Sequence, residues 1–293
     1  MAQLQSLRRR IRSISNTRQT TRAMQLVDAT KLRRSQATAK QSKEYIEATL
    51  AALHRLLGQD IDPSELRLWQ RSKVKTVGIV VIASDRGLAG AYNLNIAAKL
   101  HKEATRYRQE GVGIKAVAIG THAIRAAEHT KGVEVIERIT GRATDPMIAD
   151  VQPLASLLRR QYEDGHIDEV KVIYTHSISA LKQEVRVISI WPIALEATPQ
   201  DTVHPSVVTL LEPSPGEVIE AALSHLFDAS VLHAAQEAGV SEHAMRMLAM
   251  RNATDNASDL IDSLTLEINT IRQAGITQEI SEITGAAAAI GEQ

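Results

Sequence analysis

Residues Ser84-Asp85-Arg86-Gly87-Leu88-Ala89-Gly90 follow a nearly continuous β-branched run from Val74 to Ala83. A polar, glycine-bearing turn at the carboxyl end of such a strand is where a doubly wound fold cradles a phosphate or nucleotide. A dinucleotide fingerprint requires G-x-G-x-x-G and a P-loop requires G-x-x-x-x-G-K-[ST], and this turn has neither. It reads as a tight structural turn. Ala118-Ile119-Gly120-Thr121-His122, a second strand-to-helix turn with one glycine, takes the same discount. The ten histidines are scattered and none stands in H-E-x-x-H. His225 and His233 are eight apart and share a helix face, but without a third ligand they read as surface residues. There is no G-x-S-x-G elbow. The absence of cysteine excludes disulfides, thiolate catalysis and Cys-ligated zinc. The basic run Arg8, Arg9, Arg10, Arg12 lacks interleaved aromatics and shares its chain with an acidic helix, which argues against nucleic acid as its partner. These residues predict no catalytic, cofactor or metal site.

The elements that carry these residues are more informative. Residues 1 to 57 contain no Pro or Gly and hold 12 Lys/Arg against 3 Asp/Glu. Residues 216 to 293 hold 3 Lys/Arg against 12 Asp/Glu, so a chain of zero formal charge has ends of +9 and −9. Helices of this length would run ~85 and ~105 Å, too long to bury inside one compact domain. Leu4, Leu7, Ile11 and Ile14 follow a heptad seam; Ala23, Met24, Leu26 and Val27 then broaden the stripe, and Ile46, Leu50, Leu53 and Leu57 restore it before Gly58 ends the helix. The seam therefore reads as imperfect. At the other end Ser214-Pro215-Gly216-Glu217 forms a capping box. Ala257, Ile261, Leu264, Ile268 and Ile271 give a clean heptad run, extended less regularly by Ile276, Ile280 and Ile283. Gly239 and Gly275 are places where this helix is expected to bend or break.

Between the ends the pattern becomes strand, turn, helix. Strands are expected at 74–83, 115–120, 133–139, 170–175 and 185–190, with helices from the first turn to about Arg108, near 121–129 and at 147–163. This alternation implies βαβ units on a mostly parallel sheet. Only about ten residues separate the last two strands, too few for a helical crossover, so an antiparallel edge pair is expected. Five of the eight prolines lie between 192 and 215 and mark an extended linker. The fold class is α/β: a long antiparallel coiled coil of the two ends around a central Rossmann-like domain. Its divisions fall at 1–57, 74–200 and 213–293. The two helices must run antiparallel to leave one domain and pair, with the apolar seam supplying most of the association.

Hydrophobic residues at 44% and charged residues at 23% are ordinary for a soluble protein. At 3% aromatic residues a large aromatic-lined pocket is not expected. No apolar run approaches the ~18 residues of a membrane span. The Arg-rich start resembles a transit peptide in composition, but the helical pattern continuing through Arg55 favours mature structure.

Four segments resemble one family. Ile276-Thr277-Gln278-Glu279-Ile280-Ser281-Glu282-Ile283-Thr284-Gly285-Ala286-Ala287 is similar to the C-terminal signature of the ATP synthase gamma subunit. The stretch from Ser241 to Ala257, with Glu242, Ala244, Arg246, Met247, Ala249, Met250, Ala253, Thr254, Asp255 and Asn256, resembles its S-E-x-x-A-R-M-x-A-M-x-x-A-T-D-N pattern. Arg10 to Thr17 and Ala23 to Val27 resemble R-I-x-S-I-x-N-T and A-M-x-M-V, and Ser84 to Asn93 fits S-D-R-G-L-C-G-G. The departures are Ala89 where a Cys is common, Ala91 for a Gly, a local transposition at Ala244 and Met245, and Asp28 where small residues are frequent. Nothing resembles the cysteine-bearing regulatory insert of chloroplast relatives.

The resemblance implies a non-catalytic rotor. In that family the helices form a shaft inside a ring of alternating alpha and beta subunits, and the α/β domain sits against the epsilon subunit and the membrane-embedded ring of c subunits. Proton or sodium flux turns the shaft, and ATP is made on beta. Carried over by motif, Met24, Arg246, Arg272, Gln273, Thr277, Glu279 and Glu282 match positions tied to coupling, and Lys31 with Arg33 matches a basic stretch facing acidic loops of beta. The resemblance further implies peripheral attachment to the cytoplasmic face of a bacterial membrane. Two geometric expectations follow. Met24 should face Met245 to Met250, so that paired positions sum to about 270, with Ile11 near Leu260. The longer last helix should run ~20 Å beyond the pair, ending in an Ala-rich tip at Ala286 to Ala289.

Overall fold

The computed structural model describes residues 2–57, 74–141, 143, 146–179, 182–192 and 211–291; for residues 2, 3, 57 and 285–291 it describes the backbone alone. Gly58, most of the 192–215 linker and the side chains of Ala286 to Ala289 lie outside the described residues. In chain order the elements are α1 (Ala2–Leu57), β1 (Thr76–Ile82), α2 (Tyr92–Gln109), β2 (Gly113–Ile119), α3 (Thr121–Glu128), β3 (Val133–Ile139), α4 (Ile148–Glu163), β4 (Glu169–Ser177), β5 (Gln183–Trp191) and α5 (Pro215–Gly291). The chain forms two units, residues 28–246 and residues 1–27 with 247–293.

In the first of these units the strands lie in the order β3-β2-β1-β4-β5. β1 pairs in parallel with β2 and with β4, and β2 with β3. β4 and β5 form the expected antiparallel edge pair, because the chain between Ser177 and Gln183 is too short to cross the sheet. β1 is buried from Val77 to Ile82, as its β-branched sequence, interrupted only by Gly78, requires of a central strand covered on both faces. Val77, Ile79 and Val81 join Ile96, Leu100 and Ala123 under α2 and α3. Val80 and Ile82 point the other way, into a core with Leu154 and Leu158 of α4, Leu223, Phe227 and Val231 of α5, and Leu53 of α1. Trp191 stands edge-on to both Tyr162 and Phe227, with centroids 5.9 and 5.7 Å away. Most of the chain's few large aromatics are thus spent on core packing.

α5 begins where the capping residues predict. The Glu217 amide donates to the Ser214 hydroxyl at 3.3 Å, satisfying one donor that the first turn leaves open. The helix continues without interruption through Gly239 and Gly275, contrary to the expected break. A glycine costs only about 1 kcal/mol in a helix interior, and the run of i→i−4 bonds on either side outweighs it.

The seam of α1 is more regular than its hydrophobicity implies. Leu4, Ile11, Arg18, Gln25, Leu32, Ala39, Ile46 and Leu53 form one column of covered residues at intervals of seven, and Leu7, Ile14, Thr21, Asp28, Ser35, Ser42 and Thr49 form the other. Leu26 and Val27 are mostly exposed, and Ala23 and Met24 also point outward, so they do not broaden the stripe as expected. An apolar residue enters a coiled-coil seam by phase rather than by type. The phase set by Leu4 and Leu7 carries Arg18, Thr21, Gln25 and Asp28 inward instead.

In the second unit Thr21 and Thr254 share a hydrogen bond at 2.7 Å. Met250, Ala257 and Leu264 are buried, with Ile261, Ile268 and Ile271 half-covered, so the heptad run read from α5 is its packed face. Past Ile271 the cover ends. Every described side chain from Arg272 to Thr284 is exposed. α5 has 77 residues against 56 for α1, and its end therefore has no helical partner in this unit.

Candidate functional site

At the carboxyl end of β1 the suspected phosphate turn is closed by the protein itself. Asp85 accepts from the Thr121 amide at 3.1 Å, from its hydroxyl at 3.3 Å and from the Ala143 amide at 3.3 Å. Thr121 is the first residue of α3, where backbone donors would otherwise favour a phosphate oxygen. The chain's own carboxylate occupies that position. Gly120 sits at φ +95°, and a Cβ there would fall 2.0 Å from the Ala83 carbonyl oxygen, so the two turns are packed backbone to backbone. Both turns are held by contacts within the chain. Ser84 is held by Asn93, whose side-chain oxygen accepts from the Ser84 amide at 3.1 Å.

Arg246 also reaches this turn, its Nε 3.4 Å from the Gly87 carbonyl. It belongs to a buried ionic cluster joining α1 to α5. Its guanidinium pairs with Glu242 and lies 3.6 Å from Asp28, whose carboxylate is 2.8 Å from His243 Nδ1. The residues Asp28, Glu242 and His243 are 6%, 1% and 1% exposed. Asp28, a departure from the family pattern, is therefore compensated within this chain by an imidazole and a guanidinium. Tyr92, fully buried next to this cluster, has its hydroxyl pushed well above its usual range by desolvation and by Glu242, against a smaller opposing pull from Arg246. It stays protonated and donates to the Ala238 carbonyl at 3.2 Å.

Lower on the same helices, His233 Nδ1 is 2.8 Å from the Ser42 hydroxyl, and Glu237 lies between His176 at 2.7 Å and His233 at 3.7 Å. His233 is thus a seam residue, whereas His225 is exposed. Burial holds the His233 imidazole below its ordinary 6.5; Glu237 opposes this, and Lys43 and His176 add to it. A histidine whose folded value is lowered stabilises the fold above its unfolded value and loses that contribution as pH falls toward the folded one. Urea unfolding should accordingly show stability falling as the pH drops below about 6.5, and H233Q should flatten that part of the profile. An unchanged profile in the variant would remove His233 as its source.

These pairs measure the register. Residues 21 and 254 pair in one unit, 28 with 243 and 246, and 42 with 233, in the other; their numbers add to between 271 and 275. These sums exceed the expected 270 by one to five residues, at most about one and a half turns, and the helices run antiparallel. Met24 is 39% exposed and Leu260, expected beside Ile11, is 53% exposed, so neither lies on the seam where that expectation put it.

The other expected contact residues form surfaces rather than a pocket. Lys31 and Arg33 lie on the outer face of α1. Arg272, Gln273, Thr277, Glu279 and Glu282 spread along the uncovered part of α5. At 100° per residue, Ile276, Ile280 and Ile283 form a stripe between them, with Arg272, Glu279 and Glu282 on one flank and Gln273 and Thr277 on the other. These isoleucines are 49%, 56% and 68% exposed. Read as heptad extensions, they have no helix packed on them among the described residues; the length difference between α1 and α5 was the available signal. Gln278 donates to Glu282 at 3.0 Å on the same segment. Among the described residues no three His, Asp or Glu side chains are placed to hold a metal, and no helix is long and apolar enough to cross a membrane.

A family model described as ATP synthase matches residues 3–290. The ATP synthase gamma chain of Moorella thermoacetica is 39% identical over 290 residues, covering 99% of this chain and 100% of that one. The chain belongs to the ATP synthase gamma chain family. The gamma chains of Stenotrophomonas maltophilia and Exiguobacterium sibiricum are 35% and 36% identical to it over comparable lengths. In fold this gamma chain family member is similar to a chain of Euglena gracilis mitochondrial ATP synthase, solved with OSCP, F1 and c-ring, at TM-score 0.63 and 17% identity over 99% of this chain and 95% of that one. It is similar also to a chain from the central stalk and c-ring of the Tetrahymena thermophila mitochondrial enzyme, at TM-score 0.57 and 19% identity over 80% and 99%. Each of these likenesses is one of fold.

Proposed function

We propose that the chain is the central-stalk rotor of an F-type ATP synthase. Helices α1 and α5 serve as its shaft within a ring of alpha and beta subunits, and the α/β domain serves as its foot against the epsilon subunit and the c-ring. Proton or sodium flow through that ring turns the shaft, and ATP is made or hydrolysed on beta, the chain having no catalytic site of its own. It is held peripherally at the cytoplasmic face of a bacterial membrane. Met24, Lys31, Arg33, Arg246, Arg272, Gln273, Thr277, Glu279 and Glu282 are its contact and coupling residues. The observation that supports this most is the uncovered end of α5, a single helix with an isoleucine stripe between two polar flanks. A helix end with an apolar stripe facing water is built for a partner that surrounds it. Closure of the β1 turn by Asp85 weighs against the rival reading as a nucleotide-binding enzyme.

Co-expression with the alpha and beta subunits tests the proposal. A complex that purifies with the chain and hydrolyses ATP is expected. A stable lone monomer that binds nucleotide and ignores alpha and beta would overturn the reading.

A further inference from the structure

We infer that the polar residues buried along α1 are the register key of its pairing with α5. One inward column of α1 reads Leu7, Ile14, Thr21, Asp28, Ser35, Ser42 and Thr49: two aliphatic residues, then five polar ones at the same seven-residue interval. Burying hydroxyls and a carboxylate in a seam is unfavourable unless each finds a partner. Three of them meet one on α5: Thr254 at 2.7 Å from Thr21, His243 at 2.8 Å from Asp28, and His233 at 2.8 Å from Ser42. Within each unit, polar residue meets polar residue.

The aliphatic part of the seam cannot choose a register. Leu4, Leu7, Ile11 and Ile14 on one helix and Ile261, Leu264, Ile268 and Ile271 on the other repeat at three- and four-residue steps. A slide of one turn sets aliphatic against aliphatic again. The same slide exchanges His243 for Gly239 or Met247 opposite Asp28, and Thr254 for Met250 or Ser258 opposite Thr21. The exchanges to Gly239 and Met250 leave a buried polar group facing an apolar or absent side chain, and the exchange to Met247 takes His243 from Asp28 and leaves it Arg246 alone. Ile46, Leu50 and Leu53 fix α1 where it packs on the sheet core; a four-residue stutter between there and the N-terminus would still shift everything beyond it. Polar pairs inside a seam specify register in coiled coils at some cost in stability. This inference stands whether or not the pair turns inside a ring.

The absence of native cysteine makes the test clean. In the full-length chain, L7C is combined with I268C, whose number completes the observed register, or with L264C or R272C, one turn to either side. On oxidation of the otherwise natural chain, the 7–268 cross-link is expected to dominate the other two by about tenfold, since a disulfide needs Cα atoms within ~7 Å. Adding T21V/T254V and D28L/H243L is expected to reduce that preference to about threefold or less while the melting temperature stays within about 3 °C or rises. A preference that stays near tenfold would show that the aliphatic seam sets the register, and would overturn the inference. Absence of the preference in the natural chain would overturn it as well. Should the fourfold variant fail to fold, T21V/T254V alone conserves volume and is expected to halve the preference at least; no change would count against the key.

Discussion

Replacing Arg246 by alanine is expected to lower the unfolding free energy by about 3–5 kcal/mol, the usual consequence of removing one partner from a buried ionic cluster. The guanidinium stands between two carboxylates, Glu242 and Asp28, which are 1% and 6% exposed and cannot recover hydration in place. It also ties α5 to the β1 turn through the Gly87 carbonyl. Urea unfolding of the isolated chain measures the effect. R246K keeps the charge but loses the planar fork that serves Glu242, Asp28 and Gly87 together, and is expected to recover only part of the loss. The double variant R246A/D28A should be less destabilised than R246A, because it removes one of the two stranded carboxylates. If R246A unfolds within about 0.5 kcal/mol of the natural chain, as surface substitutions do, the cluster is not an energetic unit.

The largest effect on assembly is expected from I276S/I280S/I283S. These side chains are about half or more exposed in the chain by itself, so its melting temperature should move by less than about 1 °C. On the proposed reading they become buried inside the alpha and beta ring. Transfer of three largely exposed isoleucines is worth about 1–1.5 kcal/mol each, or about 3–4 kcal/mol together. Titration of the chain into alpha–beta hexamers should therefore show affinity weakened by about 100- to 1000-fold. E279Q and E282Q, on the charged flank, should change affinity far less but alter its salt dependence. Equal affinity for the triple serine variant and the natural chain would mean that this stripe is not the buried face.

Most of the fold was legible because its signals are local. β1, the β4–β5 pair and the Ser214 cap each follow from a few adjacent residues. The interior of the helix pair was not, because hydrophobic type pointed to Met24, Leu26 and Val27 where heptad phase selects Thr21, Gln25 and Asp28. Arg246 was marked by its motif, but its partners were invisible until the register set residue 28 beside residues 243 and 246. Long-range pairing in an antiparallel hairpin of helices is a single number, and periodicity gives the face without giving that number. The roles of Ile276, Ile280 and Ile283 depended on where the partner helix stops, which no local pattern records.

The polar column of α1 has a consequence for how the protein is made. The 157 residues from 58 to 214 lie between Leu57 and Pro215. At synthesis rates of about 5–20 residues per second, α1 waits roughly 8 to 30 s for the helix that will cover it. A seam of leucine throughout would spend that interval as a sticky, unpaired surface, prone to self-association. Thr21, Asp28, Ser35 and Ser42 keep the middle of the nascent helix wettable, so the residues that are costly to bury in the finished protein protect the unfinished one.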